Sequence, residues 1–172
     1  NPVYIARNKT VIIQMRWEDS WASPETDLNL YLYNPSLSSS VDFSTDSQTA
    51  LDYQDPLEYI SYKAGYSGDY NVVVHHASGP VPEWVQVQIF SGNDLHISTD
   101  GHSIANPAES SEGALLAVGA SSASSANDIE AFSSRGPTMD GRIKPDIVSY
   151  DQVLTSSRPY NFPGTSAAAP HV

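Results

Sequence analysis

Up to about residue 100, apolar and polar residues alternate in short runs; beyond it the alternation stops. Alternation puts successive side chains on opposite faces of a strand, so it commits the first hundred residues to half-buried β-structure. Thr10 to Trp17 (TVIIQMRW) predicts one strand. Asp27 to Tyr33 (DLNLYLY) predicts another, with Leu28, Leu30 and Leu32 on one face and Asn29, Tyr31 and Tyr33 on the other. Glu58 to Tyr62, Tyr70 to His76 and Trp84 to Phe90 continue the series, with turn signals at Asn34-Pro35-Ser36, Gly65 to Gly68 and Ser91-Gly92-Asn93-Asp94. Short strands at this spacing predict an antiparallel β-sandwich, jelly-roll-like, over residues 1–100. The Ser/Asp/Gln-rich tract from Ser36 to Asp55 is expected to be a surface excursion.

Residues 101–172 read differently. Gly113 to Ala120 (GALLAVGA) is small and continuously apolar, as in a strand covered on both faces of a parallel sheet. Ile129 to Phe132 is short and extended, and a further strand begins at or after Pro145. Gly164 to Val172 is Ala-rich and reads as the start of a helix. The expected fold class is therefore mixed: the sandwich, then a partial α/β fold.

Composition narrows the chemistry. Eight Lys plus Arg against 20 Asp plus Glu give a net charge of −12. Such a chain repels phosphate backbones and anionic membranes, so nucleic acid is not an expected partner. The absence of Cys removes disulfides, thiol catalysis and thiolate metal sites. No apolar run reaches the length that crosses a membrane, and no membrane insertion is expected. Asn1-Pro2-Val3-Tyr4 does not open a signal peptide, and His171-Val172 stops inside the Ala-rich segment. Both ends read as cuts in a longer chain.

The chemistry concentrates at Gly164-Thr165-Ser166-Ala167-Ala168-Ala169-Pro170, which puts a hydroxyl on a turn entering a helix. Unpaired N–H groups there favour negative charge, which suits a serine that must help hold the oxyanion formed by its own attack. Gly164 is expected to let a substrate backbone approach, and Pro170 to be tolerated within the first helical turn. The plainer alternative is a small-residue helix start with Thr165 or Ser166 as its N-cap.

Three blocks in order, Phe132-Ser133-Ser134-Arg135-Gly136-Pro137-Thr138, Gly141 to Ile147 (GRIKPDI) and Gly164-Thr165-Ser166, resemble the distal half of the subtilisin-like serine proteases, or subtilases. The resemblance covers about residues 104–172. It implies a protein or peptide substrate, Ser166 as the acyl-forming nucleophile, and Asn106-Pro107-Ala108 as one wall of the primary specificity pocket. With these it places Gly164 and Thr165 at the substrate. His171 belongs to the helix motif and takes no catalytic role by this resemblance. The reaction needs no cofactor, and the family setting implies a secreted or cell-surface protein.

A serine nucleophile also needs a base and a group to orient it. The family's D-T/S-G and H-G-T-H motifs are missing, while His75, His76, His96 and His102 read as surface histidines. The triad Asp and His are therefore expected before residue 1, in the remaining N-terminal part of a parent catalytic domain, and the chain alone is expected to be inactive. Gly92-Asn93 precedes Pro107 by about the distance of the family's oxyanion asparagine, but the same residues are an ordinary hairpin turn. The alternating strand ahead of them favours the turn, with the donor before residue 1.

Asp27 to Pro35 (DLNLYLYNP) and Gly68 to Val74 (GDYNVVV) resemble motifs of the pre-peptidase β-sandwich modules of secreted microbial proteases. This implies a module inserted in the catalytic domain that carries no reaction. The competing reading is a non-catalytic binding or stabilising module, bearing protease sequence only because of where the chain is cut. Asp19, Asp27, Asn29, Asp52 and Asp55 offer oxygens for a structural Ca²⁺, although no twelve-residue calcium loop is present and solvated surface acids are the expectation. The tryptophans and ten tyrosines could form a carbohydrate or peptide platform, and are expected to fill the sandwich core instead.

Overall fold

In the computed structural model, which describes residues 1–49, 55–90, 98–99, 101–111, 113–125, 127–154, 156 and 162–172, the chain divides into two compact units, Asn1–Ser98 and Thr99–Val172. The first holds seven described strands: β1 (Pro2–Ile5), β2 (Thr10–Trp17), β3 (Asp27–Tyr33), β4 (Ser40–Ser44), β5 (Leu57–Lys63), β6 (Gly68–Ser78) and β7 (Val85–Phe90). They form a four-stranded sheet, β1-β6-β3-β4, and a three-stranded sheet, β5-β2-β7. Every pairing in them is antiparallel. Except at the β3–β4 hairpin, each successive strand lies in the other sheet, so the core is assembled from segments far apart in sequence.

The alternating runs explain this arrangement. Val11, Ile13, Met15 and Trp17 of β2 are buried, as are Leu28, Leu30 and Leu32 of β3. Between them Ile12, Gln14, Asn29 and Tyr31 are only partly buried, and Arg16 is buried on the opposite face of its sheet. Val3 and Ile5 of β1, Ile60 of β5, and Tyr70 and Val72 of β6 complete one cluster between the two sheets. Full burial of such a side chain contributes about 1.5–3 kcal/mol. Register follows from the same pattern: Ile13 lies opposite Ile60 and Ile89, and Leu32 opposite Val72.

Two strands escape the sequence reading. β1 begins at Pro2, and β4 lies within the polar tract from Ser36, where Val41 nevertheless packs against the core. Gln48 from the same tract is also buried, its amide donating to Glu58 at 2.8 Å. That tract is therefore only partly a surface excursion. The aromatics divide: Trp17 and Tyr70 are core residues, whereas Tyr31 on the outer sheet face has the Tyr33, Phe43 and His75 rings each at 6.3 Å.

The second unit contains β8 (Val118–Ser121) and β9 (Ile147–Tyr150), paired in parallel with Val118 opposite Ile147 and Ser121 opposite Tyr150. A short helix, α1 (Thr165–Ala168), packs on both strands and runs into a 3₁₀ turn, Ala169–His171. β8 is shorter than its apolar run. Its partner can donate only from Asp146 onward, because Pro145 has no N–H, and the carbonyl of Ala117 accepts from Asp146 at 2.9 Å. Gly119, Ala120 and Ser121 of β8 are buried, so this strand is covered on both faces, whereas Ile147 and Val148 of its partner are exposed. Antiparallel sheets followed by this partial α/β unit make the mixed class expected from the sequence. No described helix is long and apolar enough to cross a membrane.

Candidate active site

The blocks that precede Ser166 in sequence are knitted together by polar contacts. Asp146 accepts from the Lys144 ammonium and from the N–H of Ala117, each at 2.7 Å, and these donors hold its carboxyl below the usual carboxylate range. The buried Ser133 hydroxyl accepts the N–H of Ala120 at 3.0 Å. Gly136 donates to the Lys144 carbonyl at 2.9 Å, and a Cβ at Gly136 would lie 2.3 Å from that oxygen, so only glycine fits. Arg142 reaches the carbonyls of Glu109 at 2.8 Å and Ser110 at 3.1 Å. It thereby ties down the turn that carries Asn106 and Pro107, both exposed, and Ala108, half-buried.

Ser166 stands near the start of α1. Ala167 and Ala168 bury one side of the helix, while Thr165 and Ser166 are exposed on the other. Both alanine N–H groups return to the Gly164 carbonyl, at 2.9 and 3.2 Å. No described residue of the second unit hydrogen-bonds the Ser166 hydroxyl or its N–H. Gly164 has φ 131° and ψ 157°, a region essentially confined to glycine. The nearest atom to a Cβ there would be 3.8 Å away, so backbone angle, more than space, is what requires this glycine. Pro170 lies beyond the first helical turn, in the 3₁₀ segment. With no N–H to offer the carbonyl four residues back, it ends the α-helical ladder.

The sequence reading missed Asp151. It follows β9, is 0% exposed, and donates its own N–H to the Ser121 carbonyl at 3.0 Å. Its Oδ2 accepts the N–H of Gly164 at 3.1 Å. An acid straight after an apolar strand is the available signal, but nothing local in the sequence shows what it meets thirteen residues later.

His75, His76 and His102 are exposed, as expected. His171 turns its Nδ1–H onto the Ala167 carbonyl at 2.8 Å. Asn93 and His96 lie outside the described residues. Of the calcium candidates, Asp19 already accepts backbone N–H groups from Ser20, Glu25 and Thr26. Burial opposes its charge, but those bonds outweigh it and lower the carboxyl pKa. Asp27 accepts the Ser47 hydroxyl, and Asp52 lies outside the described residues. Among the described residues no group of three or more His, Asp or Glu is placed to hold a metal ion.

Ser166 is thus exposed on a glycine-led turn that the Asp151–Gly164 hydrogen bond ties to the carboxyl end of β9. The model of the Subtilase family matches residues 12–172, and the chain belongs to that family. Among curated proteins it is 62% identical over 32 residues to Serine protease/ABC transporter B family protein tagD of Dictyostelium discoideum. It is 56% identical over 32 residues to protein tagB of the same description and organism. Each match covers 19% of this chain and 2% of the relative's length.

Proposed function

We propose that this chain is the nucleophile-bearing part of a secreted subtilisin-like endopeptidase, which hydrolyses peptide bonds by acyl transfer through Ser166. The observation that carries the reading is the family match running to residue 172, through the turn on which Ser166 is exposed. In the reaction the Ser166 oxygen attacks the scissile carbonyl, its proton passes to a base, and its N–H helps hold the oxyanion. Asn106, Pro107 and Ala108 form a wall of the substrate pocket, and Gly164 and Thr165 border it. The triad Asp and His come from the N-terminal part of the parent catalytic domain. The antiparallel unit is an inserted module of the pre-peptidase kind that takes no part in the chemistry, and no cofactor enters the reaction.

A fluorophosphonate probe tests this. The full-length parent should be labelled at Ser166 and lose both label and peptidase activity in Ser166→Ala. The isolated chain should cleave neither casein nor a peptide anilide, because losing triad members costs on the order of 10⁴–10⁶ in kcat. A parent that keeps its activity in Ser166→Ala sinks the reading.

A further inference from the structure

We propose that Asp151 is a positioning residue for the nucleophile turn: its carboxylate holds the Gly164 N–H and so sets where Ser166 presents its hydroxyl and its own N–H. The inference rests on the reading of Ser166 as nucleophile and adds to it a residue outside the motif blocks.

Both ends of this contact are constrained. Asp151 is fixed on its N-terminal side by the β8–β9 ladder, through its N–H to Ser121. On its C-terminal side the chain turns at once, with Gln152 at φ 56°. Gly164, two residues before Ser166, holds a backbone conformation that only glycine adopts readily. The single hydrogen bond at 3.1 Å joins these two points.

The cost of this acid argues for a role beyond folding. Asp146, five residues earlier, is exposed and paired with Lys144. Asp151 is completely buried, and among the described residues its Oδ1 has no hydrogen-bond partner. Burying a carboxylate costs stability, and such groups persist where they serve a site. A charged acceptor also makes the stronger hydrogen bond, which suits a contact that must hold one turn in place.

The test uses the full-length parent and measures the rate of fluorophosphonate labelling, kcat and KM for a peptide anilide, and melting temperature. Asp151→Ala should slow labelling and lower kcat by about a hundredfold, the effect of moving a reacting group by roughly 1 Å, with KM unchanged. Asp151→Asn keeps an acceptor oxygen and should recover most of that rate. Neither variant should melt below the wild type, since each removes a buried charge. Labelling of Asp151→Ala at the wild-type rate overturns the proposal and leaves Ser166 as nucleophile. Parallel loss of rate and melting temperature in both variants reduces Asp151 to a structural residue and also overturns it. If alanine prevents folding, Asp151→Ser, whose hydroxyl is too short to reach Gly164, reads the same step; failure of both to fold assigns the carboxylate to the fold alone. Labelling that survives Ser166→Ala removes the underlying reading instead.

Discussion

Leu30 and Leu32 of β3 are wholly buried, whereas Ile147 and Val148 of β9 are 43% and 37% exposed. The contrast runs through the two units. The first hides a cluster of Val, Ile, Leu, Met, Trp and Tyr side chains between its sheets. The buried apolar residues described in the second are Ile104 and four alanines, Ala117, Ala120, Ala167 and Ala168. What holds the second unit is polar: Asp146 on Ala117, Ser133 on Ala120 and Arg142 on two carbonyls. A unit built from large buried side chains is stabilised by the hydrophobic effect. One built from alanines and hydrogen bonds depends on geometry, and suits the close backbone approaches of a site.

The largest effect expected is in the first unit. Leu30→Ala should cost about 2–5 kcal/mol, the range for truncating a fully buried leucine. Trp17, Trp21 and Trp84 all lie in this unit, so denaturation followed by tryptophan fluorescence reads it directly. Ile147→Ala in the second unit should stay within about 0.5 kcal/mol, as for exposed positions, when followed by hydrogen exchange at Ala120 and Asp151. Equal costs at the two positions would break the comparison.

Arg142→Ala probes the polar side of the contrast. It releases the carbonyls of Glu109 and Ser110 and should destabilise the second unit by about 1–3 kcal/mol, because hydrogen bonds from a charged donor are the stronger kind. Hydrogen exchange at Ser110 and Gly136 should rise, with the tryptophan transition unmoved. If exchange there is unchanged, the loop from 136 to 144 is held by something else.

How much of this could be read beforehand depends on how local the signal is. β2 and β3 were legible because Val11-Ile13-Met15 and Leu28-Leu30-Leu32 carry a period of two in the sequence itself. β4 was not, because Val41 and Phe43 are its only apolar residues and its pairing is set by β3. The turn that leads Ser166 into a helix could be read from Gly164-Thr165-Ser166, but the reason for the glycine could not: a φ of 131° leaves no mark in composition. The contacts of Arg142 with residues 109 and 110, and of Asp151 with Gly164, join positions thirteen or more apart. Such pairings appear only when the chain is folded.

A smaller effect separates the units by pH. Glu58 in β5 is almost completely buried; burial pushes its carboxyl above the ordinary 4.5. The Ser44 hydroxyl and Gln48 amide counter that push, and the charges of Asp46 and Asp27 reinforce it. The folded unit therefore holds the Glu58 proton more tightly than the unfolded chain does. That contribution is complete below pH 4.5 and is lost as pH rises through the folded value. Relative to wild type, Glu58→Gln should gain stability across that interval and then level off, read by tryptophan fluorescence from pH 4 upward. A difference that does not vary with pH would remove Glu58 from the account.

The smallest effect belongs to Asp140 and runs in the opposite direction. The Arg142 guanidinium, at 2.8 Å, and the Thr138 hydroxyl hold the Asp140 carboxyl down to about 2. The folded unit therefore binds this proton less tightly than the unfolded chain, whose aspartate titrates near 3.8. The contribution is present above pH 3.8 and is lost as pH falls through about 2. Asp140 is 60% exposed, so water and salt screen the pair, and its main service is to orient an arginine that already bonds Glu109 and Ser110. Asp140→Asn should therefore lower exchange protection at Ser110 slightly at pH 6, less in high salt, and less still as pH falls towards 2. A loss as large as that of Arg142→Ala would mean that the ion pair, and not the arginine's hold on the backbone, is what keeps the second unit together.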